Sequence, residues 1–89
     1  MIDTRLIQMC EDYIINFNTL KRGEIHVQIV KFLSIKFKIK QERKILRAIQ
    51  DITDNLDKCF HFTDDNDKNA RLFGYALAKL FCDKIKLML

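Results

Sequence analysis

The side chains with thiol or imidazole chemistry are Cys10, Cys59, Cys82, His26 and His61. A zinc site needs four ligands, and close pairs such as C-x-x-C or H-x3-H are its usual trace. Cys10, Cys59, His61 and Cys82 contain no such pair. Cys10 and Cys82 instead fall on apolar helical stripes, so the expectation is buried thiols packing as small hydrophobes, with no metal bound. The run Asp64-Asp65-Asn66-Asp67-Lys68-Asn69 has the oxygen ligands of a calcium loop at Asp65, Asp67 and Asn69. The sixth position is then Ala70, where the turn requires glycine, and the twelfth is Ala76, where a bidentate glutamate belongs. An acidic helix start explains that run better. His26 has no nucleophile near it in sequence, and no Gly-rich phosphate loop or paired-carboxylate motif occurs. The expectation is a protein that is not an enzyme and carries no cofactor.

Positive charge offers more. The chain carries a net +4 over its 89 residues. Residues 21–47 hold nine cations against Glu24 and Glu42, a net +7, whereas residues 48–67 hold six aspartates against Lys58, a net −5. Six cations, Lys36, Lys38, Lys40, Arg43, Lys44 and Arg47, concentrate in F-L-S-I-K-F-K-I-K-Q-E-R-K-I-L-R-A-I. That string reads as two helices joined by a short turn, with small Ser34 in the first and apolar Ile39 in the turn. A second helix of this kind can present Gln41, Arg43, Lys44 and Arg47 to a groove while Lys36, Lys38 and Lys40 meet phosphates. Two features count against duplex recognition. Lys38 stands where such turns usually have glycine, and Asp51, Asp54 and Asp57 would repel phosphate if they shared the helix face. The leading expectation is therefore a small interaction or regulatory protein whose basic helical face docks an acidic protein surface. A helix–turn–helix nucleic-acid binder, dimeric through the last helix, is the alternative.

One more spacing stands out. Ala70, Gly74, Ala78 and Cys82 recur every four residues, a strip of small side chains that lets a backbone approach closely. Glycine inside a helix costs about 1 kcal/mol relative to alanine, which calls for a spatial reason. The strip could seat a bulky phenylalanine of the same chain, Phe17, Phe32 or Phe37, or a second copy of the chain.

The elements that must carry these residues follow from periodicity. Asp3 is a helix cap, and Leu6, Met9, Cys10, Tyr13, Ile14 and Phe17 draw the stripe of a first helix running to about Asn18. Lys21 and Arg22 would complement its C-terminal dipole, and Gly23 would take a left-handed stop. A second helix spans about Glu24 to Phe37, with Ile25, Ile29, Phe32, Leu33 and Phe37 inward. A strand near residues 25–39, in a small α+β fold, is the alternative for this segment. The third helix, Gln41 to Asp57, buries Ile45, Leu46, Ala48, Ile49, Ile52 and Leu56. Its cations come early and its aspartates late, against the helix dipole, so stability alone did not choose that order. Phe60 and Phe62 would plug the bundle from a link. A last helix from about Asp65, with Thr63 or Asp64 as cap, would span roughly 36 Å and overhang its shorter partners. Its expected apolar face is Leu72, Phe73, Ala76, Leu77, Leu80, Phe81, Leu87 and Met88.

Proline is absent and only Gly23 and Gly74 interrupt the chain as glycines. Few long helices with short links follow from that scarcity. The fold class expected is all-α: a compact four-helix bundle forming a single helical domain over residues 1–89. Uninterrupted apolar runs are far too short to span a membrane. Unpaired cysteine spacing and the lack of a secretory leader point to a reducing, cytoplasmic location.

Overall fold

Four segments become four α-helices in the computed structural model, which describes residues 2–59 and 66–89. They are α1 (Thr4–Ile15), α2 (Arg22–Lys36), α3 (Glu42–Cys59) and α4 (Asn66–Met88). No strand occurs among the described residues, and the segment weighed as a strand near 25–39 is largely α2. Each helix packs on its neighbours in sequence, and α4 closes the ring on α1 through the most extensive of the helix–helix interfaces. The core is continuous across all four. Leu6, Tyr13 and Ile14 of α1 join Ile29 and Leu33 of α2, Ile45 and Ile49 of α3, and Leu77, Phe81 and Ile85 of α4.

Local sequence explains where α1 begins and ends. The Asp3 side chain accepts from the Arg5 backbone N–H at 2.8 Å, the expected cap. The helix stops at Ile15, three residues before the expected end, because Asn16 and Thr19 compete for the backbone. Asn16 Nδ2 donates to the Asp12 carbonyl at 2.9 Å, and Thr19 Oγ1 donates to the Asn16 carbonyl at 3.0 Å. Gly23 is not the stop. It lies in the first turn of α2 without a positive φ.

The chain changes direction between α2 and α3 by a Schellman turn. Ile39 N–H bonds the Ser34 carbonyl at 3.0 Å and Lys38 N–H bonds the Ile35 carbonyl at 3.3 Å. Lys38, at φ 53°, is the single non-glycine residue with positive φ among those described. Thus the position where glycine is usual does adopt the glycine conformation, at a cost of roughly 1–2 kcal/mol for a residue with a Cβ. Buried Ser34 is satisfied by donating to the Val30 carbonyl at 2.8 Å, and Ile39 packs against the core.

The expected face of α4 requires correction. Leu72, Leu80 and Leu87 are 61%, 49% and 86% exposed. The buried face keeps Leu77 and Phe81 of the expected set and adds Ala70, Ala78, Cys82 and Ile85. The small-residue strip lies at the α1–α4 seam: a Cβ at Gly74 would fall 2.5 Å from Glu11 Cγ and 3.5 Å from the Glu11 backbone nitrogen. At Gly74 the neighbour is therefore the Glu11 segment of α1, while Cys82 at the other end of the strip shares a cleft with Phe37. The strip is used inside the chain and is not free to seat a second copy. The helices run antiparallel, since Glu11 faces Gly74 while Ile2 shares a cleft with Tyr75, Cys82 and Lys86. The 23 residues of α4 correspond to roughly 35 Å, close to the 37 Å long axis of the molecule. Leu87 in its last turn and Leu89 just past it are 86% and 74% exposed. Phe60 and Phe62, expected as plugs, and the expected caps Thr63 and Asp64 lie outside the described residues.

Candidate functional site

Lys36, Lys38, Lys40, Arg43, Lys44 and Arg47 are all exposed at the corner where α2 turns into α3. None forms an ion pair with a described residue. They do not make one patch. Arg43 lines a cleft of about 260 Å³ between α2 and α3, with Val27, Val30, Glu42 and Leu46. Lys36 follows Val27 by nine residues, half a turn round the helix at 100° per residue, and so lies on the opposite flank of α2. It lines clefts shared with α1 and α4 instead.

The outer face of α3 mixes signs. Arg43, Lys44 and Arg47 are followed by exposed Gln50, Asp51 and Asp54, with Arg47, Asp51 and Asp54 separated by four and three residues. The inward face is apolar, with Ile45, Ala48 and Ile49 buried and Leu46, Ile52 and Leu56 half-buried. This division is the reason α3 forms: one side pays for burial and the other remains hydrated. The acidic half of the outer face therefore sits in line with the basic half, an arrangement that opposes a continuous phosphate track.

A second cluster occupies the α1–α2 corner. The Arg22 guanidinium lies 3.9 Å from the Phe17 ring centroid, its Nε donates to Tyr13 Oη at 3.1 Å, and Nη1 donates to the Phe17 carbonyl at 3.4 Å. Arg22 thus does serve a carbonyl just past α1, as its expected role required, although it belongs to α2. His26 packs edge-on to Tyr13 at 6.0 Å, and its buried Nε2 has no hydrogen-bond partner. Burial, and secondarily the Arg22 charge, push the His26 pKa below its ordinary value, with Asp54 acting in the other direction.

The fold therefore prefers neutral His26. With a folded pKa below the unfolded value of about 6.5, the unfolded chain takes up the proton first. The stability from this group is fully present above pH ~6.5 and is lost as pH falls toward the folded pKa. Urea denaturation at pH 7.5 and 5.5 is expected to show a larger loss for wild type than for His26→Phe. Equal losses would mean that His26 does not carry this pH dependence.

Cys10 and Cys82 lie in the core. Burial raises the Cys10 thiol far above its ordinary pKa, reinforced by Cys82 and Glu11. Burial also raises Cys82, against the opposing charges of Lys36 and Lys86. Both thiols are free and buried, and neither is activated as a nucleophile. No group of three His, Cys, Asp or Glu side chains converges as metal ligands among the described residues, and His61 lies outside them. Asp67 and Asn69 of the calcium reading belong to α4 rather than to a loop. No helix among the described residues is long and apolar enough to cross a membrane.

The half-exposed valine cleft beside Arg43 was not singled out in the sequence, because Val27 belongs to a helix whose apolar residues point several ways. Its signal was Val27 lying off the inward stripe. Compared with family models, curated protein sequences and solved structures, the chain has no match.

Proposed function

We propose that the protein is a non-catalytic regulatory or interaction module that binds an acidic protein surface through the α2–α3 corner. The observation that carries this reading is the apolar cleft of Val27, Val30 and Leu46 set directly beside Arg43. A docking surface gains most of its affinity from a few apolar anchors that become fully dry, while surrounding charges steer the encounter and set register. Val27 is 48% exposed and available as such an anchor. The succession of Arg43, Lys44 and Arg47 by Asp51 and Asp54 along one face suits a partner with an acidic patch beside a basic one. It suits a uniformly negative duplex less well. Cytoplasmic location belongs to the same proposal and rests on the unpaired spacing of Cys10, Cys59 and Cys82.

A second reading keeps one specific support: the left-handed turn at Lys38 joins α2 to α3 as helix–turn–helix units are joined. Affinity capture from the native cell, with nuclease treatment, separates the two. The protein reading expects one stoichiometric partner that survives nuclease. With that partner purified, Leu46→Ala should weaken binding roughly tenfold and Arg47→Glu should slow association. A low-salt shift of duplex DNA or RNA, steeply salt-dependent and abolished by Arg43→Ala, would establish the nucleic-acid reading instead.

A further inference from the structure

A cleft of about 400 Å³ opens where the C-terminal half of α4 passes the end of α2. Lys36, Lys79, Lys86 and Asp83 line it, together with the rings of Phe37 and Tyr75. None of the three lysines forms an ion pair with a described residue, Asp83 included. Lys36 and Lys86 occupy the last turns of their helices, where a cation complements the carbonyl end. Lys79 is in the interior of α4 and has no such role. Cys82 lies in the cleft wall, and Lys36 and Lys86 reach this cleft from different helices. Like charges gathered around one concavity raise its positive potential, and an anion relieves it.

We propose that this cleft binds a small phosphorylated molecule carrying a flat ring, with the chemistry of a nucleoside phosphate. The volume lies within the range of small-molecule sites. Lys36, Lys79 and Lys86 take the phosphate oxygens. Tyr75, 55% exposed in the free protein, supplies a ring face for stacking. Asp83 is the acceptor for an N–H or O–H of the base or sugar. This site shares only Lys36 with the basic corner and stands or falls independently of it.

The test is titration calorimetry on the full chain at low salt, with ADP, adenosine and inorganic phosphate as probes. ADP is expected to bind one to one and at least roughly tenfold more tightly than either fragment. Lys79→Gln and Lys86→Gln should each weaken it roughly tenfold, the loss of one charge-assisted contact, and Lys44→Gln should leave it unchanged. Both replaced lysines are exposed, so thermal melts of the free variants should match wild type. No heat from ADP at millimolar concentration overturns the proposal. So does phosphate binding as tightly as ADP, or ADP affinity that ignores Lys79→Gln.

Discussion

Gly74→Leu is expected to destabilise the protein by about 2–3 kcal/mol, because an added side chain at this position must push α1 away from α4. Even a Cβ there would fall 2.5 Å from Glu11 Cγ. The Glu11 side chain can swing aside for that one atom, but its backbone nitrogen, 3.5 Å from the Cβ position, moves only with the helix. Gly74→Ala is thus expected to be nearly neutral, since its gain of about 1 kcal/mol in helix propensity is offset by displacing Glu11. For a domain of this size the leucine variant should lose roughly 10–20 °C in melting temperature. Wild-type stability in Gly74→Leu would contradict the close approach of these helices.

Tyr13→Ala should cost more, about 3–5 kcal/mol, as for other fully buried aromatic residues cut to alanine. Tyr13 is 1% exposed and holds the α1–α2 corner together. Its ring meets Phe17 edge-on at 5.8 Å and His26 at 6.0 Å, and its hydroxyl accepts from Arg22 Nε. Against a total stability of roughly 4–13 kcal/mol for a chain of this length, that loss removes a large share of the folded population. Tyr13→Phe keeps the ring and gives up only the acceptor, at about 1 kcal/mol. A double-mutant cycle with Arg22→Met isolates that bond by urea denaturation. Additive losses in the cycle would show that Arg22 acts through its stacking on Phe17 and not through the tyrosine hydroxyl.

The elements differed in legibility for identifiable reasons. α3 could be read to within a residue or two because its apolar and charged residues lie on opposite sides. α2 could not be distinguished from a strand by pattern alone. Its apolar residues surround it, and it packs on both α1 and α3 while leaving Val27 and Ile35 exposed. On α4 the large apolar residues misdirected the reading: Leu72, Leu80 and Leu87 face outward, and alanine, glycine and cysteine face the neighbour. Helix packing rewards distance of approach as well as side-chain size, so small residues can define the buried face.

The candidate site divides in the same way. The basic block at residues 21–47 was visible as composition, and apart from half-buried Arg22 its lysines and arginines are exposed, as charged side chains rarely leave water. Which cations share a cleft depended on the rotation of α2 between its neighbours, and that rotation set Lys36 apart from Arg43. The left-handed conformation of Lys38 likewise arose from the path between two packed helices, against its own preference. Helix type and the Asp3 cap are local and were present in the sequence. Pairings between residues distant along the chain, such as Glu11 with Gly74 or Lys36 with Lys86, came into existence only when four faces closed on one core. Each face could meet several partners, and only simultaneous packing selected among them.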